Sequence, residues 1–148
     1  MRILKAAQYI NIGSMHIGFI TDGNGRWATS RGLDRINGHI RGREVADDIM
    51  KACAEKGVEY ATFFAFSVQN WSRNEKEVKG IYHLLRILFD NMKVWVLEKN
   101  VKVQVIGIRH QIPQDLNKII QDIEAYTAQC TGTVISVCIS YGGREDIS

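Results

Sequence analysis

Between Ile17 and Trp27 the chain reads Ile-Gly-Phe-Ile-Thr-Asp-Gly-Asn-Gly-Arg-Trp, and this stretch narrows the choice of fold more than any other. A short apolar run bounded by turn residues has the pattern of a buried strand. Helical sequence follows the glycines at once, so the segment is a strand–turn–helix unit. Ligands of open α/β sheets sit beyond the carboxyl ends of strands, which is where Asp22 falls. Gly23 and Gly25 allow positive φ and close approach to a ligand. Asn24 is a good N-cap, and the free N–H groups of a helix start attract phosphate. Arg26 adds a bidentate donor for phosphate oxygens. A carboxylate repels phosphate, so Asp22 fits this setting when Mg2+ lies between them, held by one carboxylate and by substrate oxygens. Two readings compete with this one. The first is an ordinary glycine-rich turn with no ligand. The second is a phosphatase-type aspartyl nucleophile, which wants a second Asp where Asn24 stands.

The rest of the chain alternates between the two periodicities. A short helix runs from Trp27 to about Arg31 and stops at Gly32, with Arg35 in the connection. Gly38-His39-Ile40-Arg41-Gly42 opens a second helix whose apolar face is Val45, Ala46, Ile49, Met50, Cys53 and Ala54. Gly57 is a natural C′ residue. Val58 to Phe66 is a second strand. It ends in a second polar cluster: Ser67, Val68, Gln69, Asn70, Trp71, Ser72 and Arg73. Ser72 and Glu75 form a capping box, which accounts for Ser72 structurally. A long helix, about Glu75 to Glu98, carries the stripe Val78, Ile81, Leu84, Leu85, Leu88, Phe89, Met92 and Trp95, with His83 off it in solvent. Val101 to Ile106 is a third strand, Gln114 to about Gln129 a fourth helix, and Thr133 to Ser140 a fourth strand. The order is β-α-α-β-α-β-α-β, which predicts an α/β fold: an open parallel sheet flanked by helices, with right-handed crossovers. Two polar clusters after two parallel strands then face one crevice.

At 148 residues the chain is at most one domain, long enough for a core. The net charge of +3 comes from scattered Lys and Arg with no basic block, so nucleic-acid binding has little support while an anionic small substrate is accommodated. Cys53, Cys130 and Cys138 are odd in number and show no CxxC pairing, as expected of reduced thiols in a cytoplasmic protein rather than disulfides or zinc. No apolar run approaches a membrane span. Residues 1–15 read as a lead-in, amphipathic enough for a weak peripheral membrane contact but without a continuous apolar core or cleavage site of a signal peptide.

His16 through Ala28 resembles the signature of the cis-prenyltransferases, the undecaprenyl diphosphate synthase family, and the resemblance recurs at Gly38-His39-x-x-Gly42, at Phe66-Ser67-x-x-Asn70-Trp71-x-Arg73 and at Tyr141-Gly142-Gly143-Arg144. Four departures stand out: Gln69 for the usual Glu, Asn74 for Pro, Ile108 for Asp and Ser140 for Asn. The resemblance covers the chain from His16 to Ser148 as a prenyltransferase domain cut short, the C-terminal third of the family domain being absent. That third carries an Arg-rich motif for the second diphosphate, a metal-binding Glu and much of a homodimer contact.

What the resemblance implies is a transferase that condenses an allylic, farnesyl-type diphosphate with isopentenyl diphosphate to give a cis-polyprenyl diphosphate, dependent on Mg2+. Gly23, Asn24, Gly25, Arg26, Trp27, Arg35 and His39 bind the allylic diphosphate, and Asp22 holds the metal. Asn70 assists loss of the proton; an amide is a poor base, so it orients a water or phosphate oxygen. Ser67, Val68, Gln69, Trp71 and Arg73 shape the second substrate's site. The stripe of the third helix is either plain core or the wall of a tunnel for the isoprenoid tail. Two further alternatives stay open: a same-fold synthase of short or irregular isoprenoids, and a fragment or partner subunit that only binds allylic diphosphate.

Overall fold

The structure is a computed structural model, and it describes residues 15–21, 23–67, 75–107 and 109–141. Strands and helices alternate as the periodicities predict. Strand β1 (His16–Ile20) leads to helices α1 (Asn24–Thr29) and α2 (Arg35–Glu55). Then come β2 (Tyr60–Ser67), α3 (Glu75–Trp95), β3 (Lys102–Gly107), α4 (Gln114–Tyr126) and β4 (Val134–Tyr141). The four strands form one sheet in the order β1-β2-β4-β3, parallel throughout. Such pairing needs a crossover between successive strands, and the helices supply it.

One face of the sheet is the core. Ile17 and Phe19 of β1, Phe63 of β2, Val103 and Val105 of β3 and Ile135 and Val137 of β4 alternate inward at the strand period. They join one cluster with Met50 and Cys53 of α2, Leu85, Leu88, Phe89 and Met92 of α3, and Leu116, Ile120 and Ile123 of α4. Phe19 and Phe63, opposite each other in the register, stack with ring centroids 4.7 Å apart. Burial also pushes the Cys53 thiol above its ordinary pKa, so it stays protonated and inert. The helices are tied laterally. Trp95 Nε1 donates to Asp47 Oδ1 between α3 and α2 (3.4 Å), and Arg86 forks onto both oxygens of Asp115 between α3 and α4 (2.6 and 2.9 Å).

The opposite face behaves differently. Ile20, Tyr60, Phe64 and Ile106 are 51%, 42%, 38% and 40% exposed, and no helix among the described residues covers them. Side-chain pairs cross it, His16 Nε2 with Thr62 Oγ1 (3.0 Å) and Gln104 Nε2 donating to Ser136 Oγ (2.8 Å). Parallel sheets are normally covered on both faces.

The β3 edge is closed by side chains. Val103 N–H donates to Thr127 Oγ1 and Val105 N–H to Glu124 Oε2, both at 3.0 Å, while Arg109 Nη2 donates to the Val105 carbonyl at 2.7 Å. The Arg109–Glu124 ion pair holds the two capping groups together.

Several boundaries differ from the sequence reading: α1 already begins at Asn24 and α4 ends at Tyr126. Helix α2 starts at Arg35, with Asp34 at its N-cap, so Arg35 belongs to the helix and Gly38 lies inside it. The glycines are there for packing against α1. Helix α3 stops at Trp95, and the chain turns at Asn100, which takes φ 56. Among the described residues no helix is long and apolar enough to cross a membrane. The lead-in to residue 14 and the expected capping residue Ser72 lie outside the described residues.

Candidate active site

At the end of β1, Thr21 Oγ1 donates to the Phe64 carbonyl (2.9 Å), which ties the strand terminus to β2. The chain then turns through Gly23, whose φ of 79 and ψ of 8 place it in the left-handed region where L side chains are strained. Gly23, not Asn24, is the N-cap of α1, and no side chain caps this helix. Asn24 is the first helical residue, and its Oδ1 is buried without a hydrogen-bond partner among the described residues. The expected capping role is therefore corrected: the positive φ that the turn requires falls at the cap position, and only glycine takes it freely.

Helix α1 lies directly on α2. A Cβ on Gly38 would overlap the Asn24 carbonyl oxygen, and one on Gly42 would come 2.7 Å from Asn24 Nδ2. These two small positions let the loop seat itself against the helix, and between them they fix where the loop points.

The loop, α2 and α3 enclose a cavity of about 260 Å3. Its mouth is polar: Thr21, Gly23, Asn24, Gly25 and Arg26 from the loop, Arg35 and His39 from α2. Its depth is apolar: Ala46 and Met50 of α2, Ile81, Leu84, Leu85 and Leu88 of α3, with Phe63 and Val137 of the sheet at the floor. Thus α2 presents Arg35, His39, Ala46 and Met50, and α3 presents Ile81 to Leu88, each along one helical stripe. Such a gradient suits a ligand with an anionic head and a hydrocarbon tail.

Glu77, in the first turn of α3, organises the mouth. Its Oε1 accepts from His39 Nε2 (2.8 Å) and from Arg35 Nε (3.2 Å), and the side chains of Glu77 and His39 are each only 10% exposed. The carboxylate fixes the His39 proton on Nε2 and orients the imidazole.

Of the site residues read from the sequence, Gly23, Asn24, Gly25, Arg26, Arg35 and His39 come together on this cavity. Trp27 does not line it; it sits on α1 under the Arg31 guanidinium, 4.4 Å from the ring centroid, in a cation–π contact. Ser67 ends β2 opposite Tyr141. Asp22, Val68, Gln69, Asn70, Trp71 and Arg73 lie outside the described residues. Among the described residues no group of three or more His, Cys, Asp or Glu could hold a metal. Two lining or clamping residues escape the sequence reading, Glu77 and Arg43. The signal existed in both cases: Glu77 precedes Ile81 by four residues, and Arg43 follows His39 by four, so each extends a stripe already recognised.

The comparisons with known proteins agree with this geometry. A prenyltransferase family model, described as undecaprenyl diphosphate synthase, matches residues 20–148. An isoprenyl transferase of Aquifex aeolicus is 39% identical over 132 residues, which are 89% of this chain and 57% of that protein. A di-trans,poly-cis-undecaprenyl-diphosphate synthase of Giardia intestinalis is 41% identical over 135 residues, 90% of this chain and 51% of that protein. Lavandulyl diphosphate synthase from Lavandula x intermedia, solved in complex with dimethylallyl diphosphate, superposes with a TM-score of 0.86 at 28% identity, over 89% of this chain and 57% of that one. The chain therefore spans somewhat more than half the length of these relatives. By the extent of the family match and by its fold, the chain belongs to the undecaprenyl diphosphate synthase family of prenyltransferases.

Proposed function

We propose that this chain carries the allylic-diphosphate site of a cis-prenyltransferase, which condenses that substrate with isopentenyl diphosphate. The observation that carries the reading is the cavity, cationic and glycine-lined at the mouth and apolar in its depth. The lavandulyl diphosphate synthase of the same fold binds dimethylallyl diphosphate, a molecule with that polarity.

In this reading Arg26, Arg35 and His39 grip the diphosphate, and the loop from Gly23 to Arg26 approaches it with its main chain. The donor types suit Mg2+: Asp22, next to Thr21 in the sequence, offers a carboxylate, and the buried Asn24 Oδ1, without a partner among the described residues, is a second hard oxygen. Bound there by Asp22, Mg2+ would neutralise charge on the departing diphosphate. The allylic C–O bond breaks, a C–C bond forms to isopentenyl diphosphate, and a proton leaves the new adduct. Asn70 orients the water or phosphate oxygen that takes this proton, since its amide is too weak a base. Ser67, Val68, Gln69, Trp71 and Arg73 shape the second substrate's site, together with groups in the part of the family domain this chain does not span. A family-type homodimer and a peripheral membrane contact at product release belong to the same reading.

The test is prenyl transfer from labelled dimethylallyl and farnesyl diphosphates, with and without Mg2+, by this chain alone and by the chain extended with the remainder of a family domain. We expect binding but little turnover from the chain alone, and Mg2+-dependent turnover from the extended one. An extended chain that transfers no prenyl group would refute the reading.

A further inference from the structure

Arg43 lines the cavity between its cationic mouth and its apolar depth, and no hydrogen bond or ion pair satisfies it among the described residues. It lies one helical turn, about 6 Å, beyond His39 along α2. Among the described residues, the acids near it on α2 and α3 are occupied. Asp47, four residues on, binds Lys51 Nζ (3.2 Å) and Trp95 Nε1 (3.4 Å). Glu44 pairs with Arg41 (3.6 Å), and Glu77 serves Arg35 and His39. Among the described residues the Arg43 Nε is buried without a hydrogen-bond partner, as is Asn24 Oδ1, which belongs to the same cavity lining. A guanidinium cannot shed its proton to escape this situation, so it stays charged in a partly desolvated place. A partly desolvated, unpaired charge is unfavourable, and an anion in the cavity reduces that penalty.

We infer that Arg43 is a specificity-determining residue of this site: it extends the anion-binding region one turn deeper than Arg35 and His39, and so shortens the part of the cavity left for an apolar tail. The inference rests on the diphosphate reading above. It makes the head group sit deeper, held by a third cation, and sets a guanidinium at the start of the tail chamber where hydrocarbon contact is poor. Ligands with short tails keep the gain from the deeper head. Ligands with long tails lose tail burial against Ala46 and Met50.

The experiment is calorimetric titration of the whole chain, wild type and Arg43→Met, with inorganic diphosphate, dimethylallyl diphosphate and farnesyl diphosphate. Methionine keeps the length and apolar stem and removes the charge. The expected result is a loss of roughly tenfold or more in affinity for inorganic diphosphate, the scale of a charge-assisted bond. The ratio of farnesyl to dimethylallyl affinity should rise. Thermal melting identifies an unfolded variant, in which case Arg43→Gln, neutral but polar, takes its place. A folded variant that binds inorganic diphosphate within twofold of wild type overturns the inference, as does an unchanged farnesyl-to-dimethylallyl ratio. A wild-type chain that binds none of the three ligands instead overturns the diphosphate reading, and this inference with it.

Discussion

Gly38 shows how much of the site depends on one missing side chain. A methyl group there would overlap the Asn24 carbonyl, a main-chain atom that moves only if α1 moves. Gly38→Ala is expected to lower stability by about 1–3 kcal/mol, the usual scale of overpacking, read as a shift in urea midpoint. It should also weaken diphosphate binding, because the loop is displaced; a variant with wild-type midpoint and affinity would remove this contact from the argument. Arg26→Ala and His39→Ala should each weaken binding of farnesyl diphosphate by about 1.5–3 kcal/mol, the range for bonds to charged groups. Calorimetry of both variants decides it, and unchanged affinity in both would dissolve the phosphate-loop assignment. Asp22→Ala should leave melting unchanged and reduce turnover of an active, extended chain by orders of magnitude; activity within a few-fold of the parent would take Asp22 out of the mechanism. The loop glycines, Arg26, Arg35 and His39 are legible in the sequence because their chemistry is local to a motif. Glu77 and Arg43 carry only a positional signal, their spacing on a helical stripe, since their roles arise only when α2 and α3 are brought side by side.

At the scale of elements, the alternation of strand and helix is readable because period and breaker residues agree along the whole chain. Two of the misplaced boundaries have identifiable causes. Gly38 and Gly42 look like helix-opening residues, yet they sit inside α2 because tertiary contact with α1 outweighs their poor helix propensity. Asn24 looks like a cap, yet the turn needs positive φ at that place and Gly23 takes it. The α3–α4 contact is testable through pH. The Arg86 guanidinium, by its hydrogen bonds to Asp115, holds that carboxyl below the ordinary carboxylate range. A depressed folded-state pKa means stability present above the unfolded pKa and lost as pH falls through the folded one. Asp115→Asn should therefore melt below the wild type near neutrality, and the gap should close on acidification beneath the usual carboxylate range. A gap that persists unchanged to the acid limit would assign the effect to something other than this charge. Because Asp115 is exposed to solvent, the difference should be small and should shrink with added salt.

For the whole molecule, the uneven sheet is the main fact. Its core face is closed by α2, α3 and α4, while Ile20, Tyr60, Phe64 and Ile106 leave an apolar patch on the other. Contiguous exposed apolar surface favours association. The 148-residue chain should show a sedimentation coefficient that rises with concentration, and the double substitution Ile20→Ser with Phe64→Ser should flatten that rise; equal behaviour of the two chains would absolve this face. The capped β3 edge has a different consequence. A strand arriving beside β3 would have to displace the Thr127 hydroxyl, the Glu124 carboxylate and the Arg109 guanidinium before making its first main-chain bond. Among the described residues no side chain guards the main chain of β1 in that way. The sheet is thus a row that can be lengthened from one end only, and any strand that joins it is steered to the β1 side, next to the glycine loop rather than across the molecule from it.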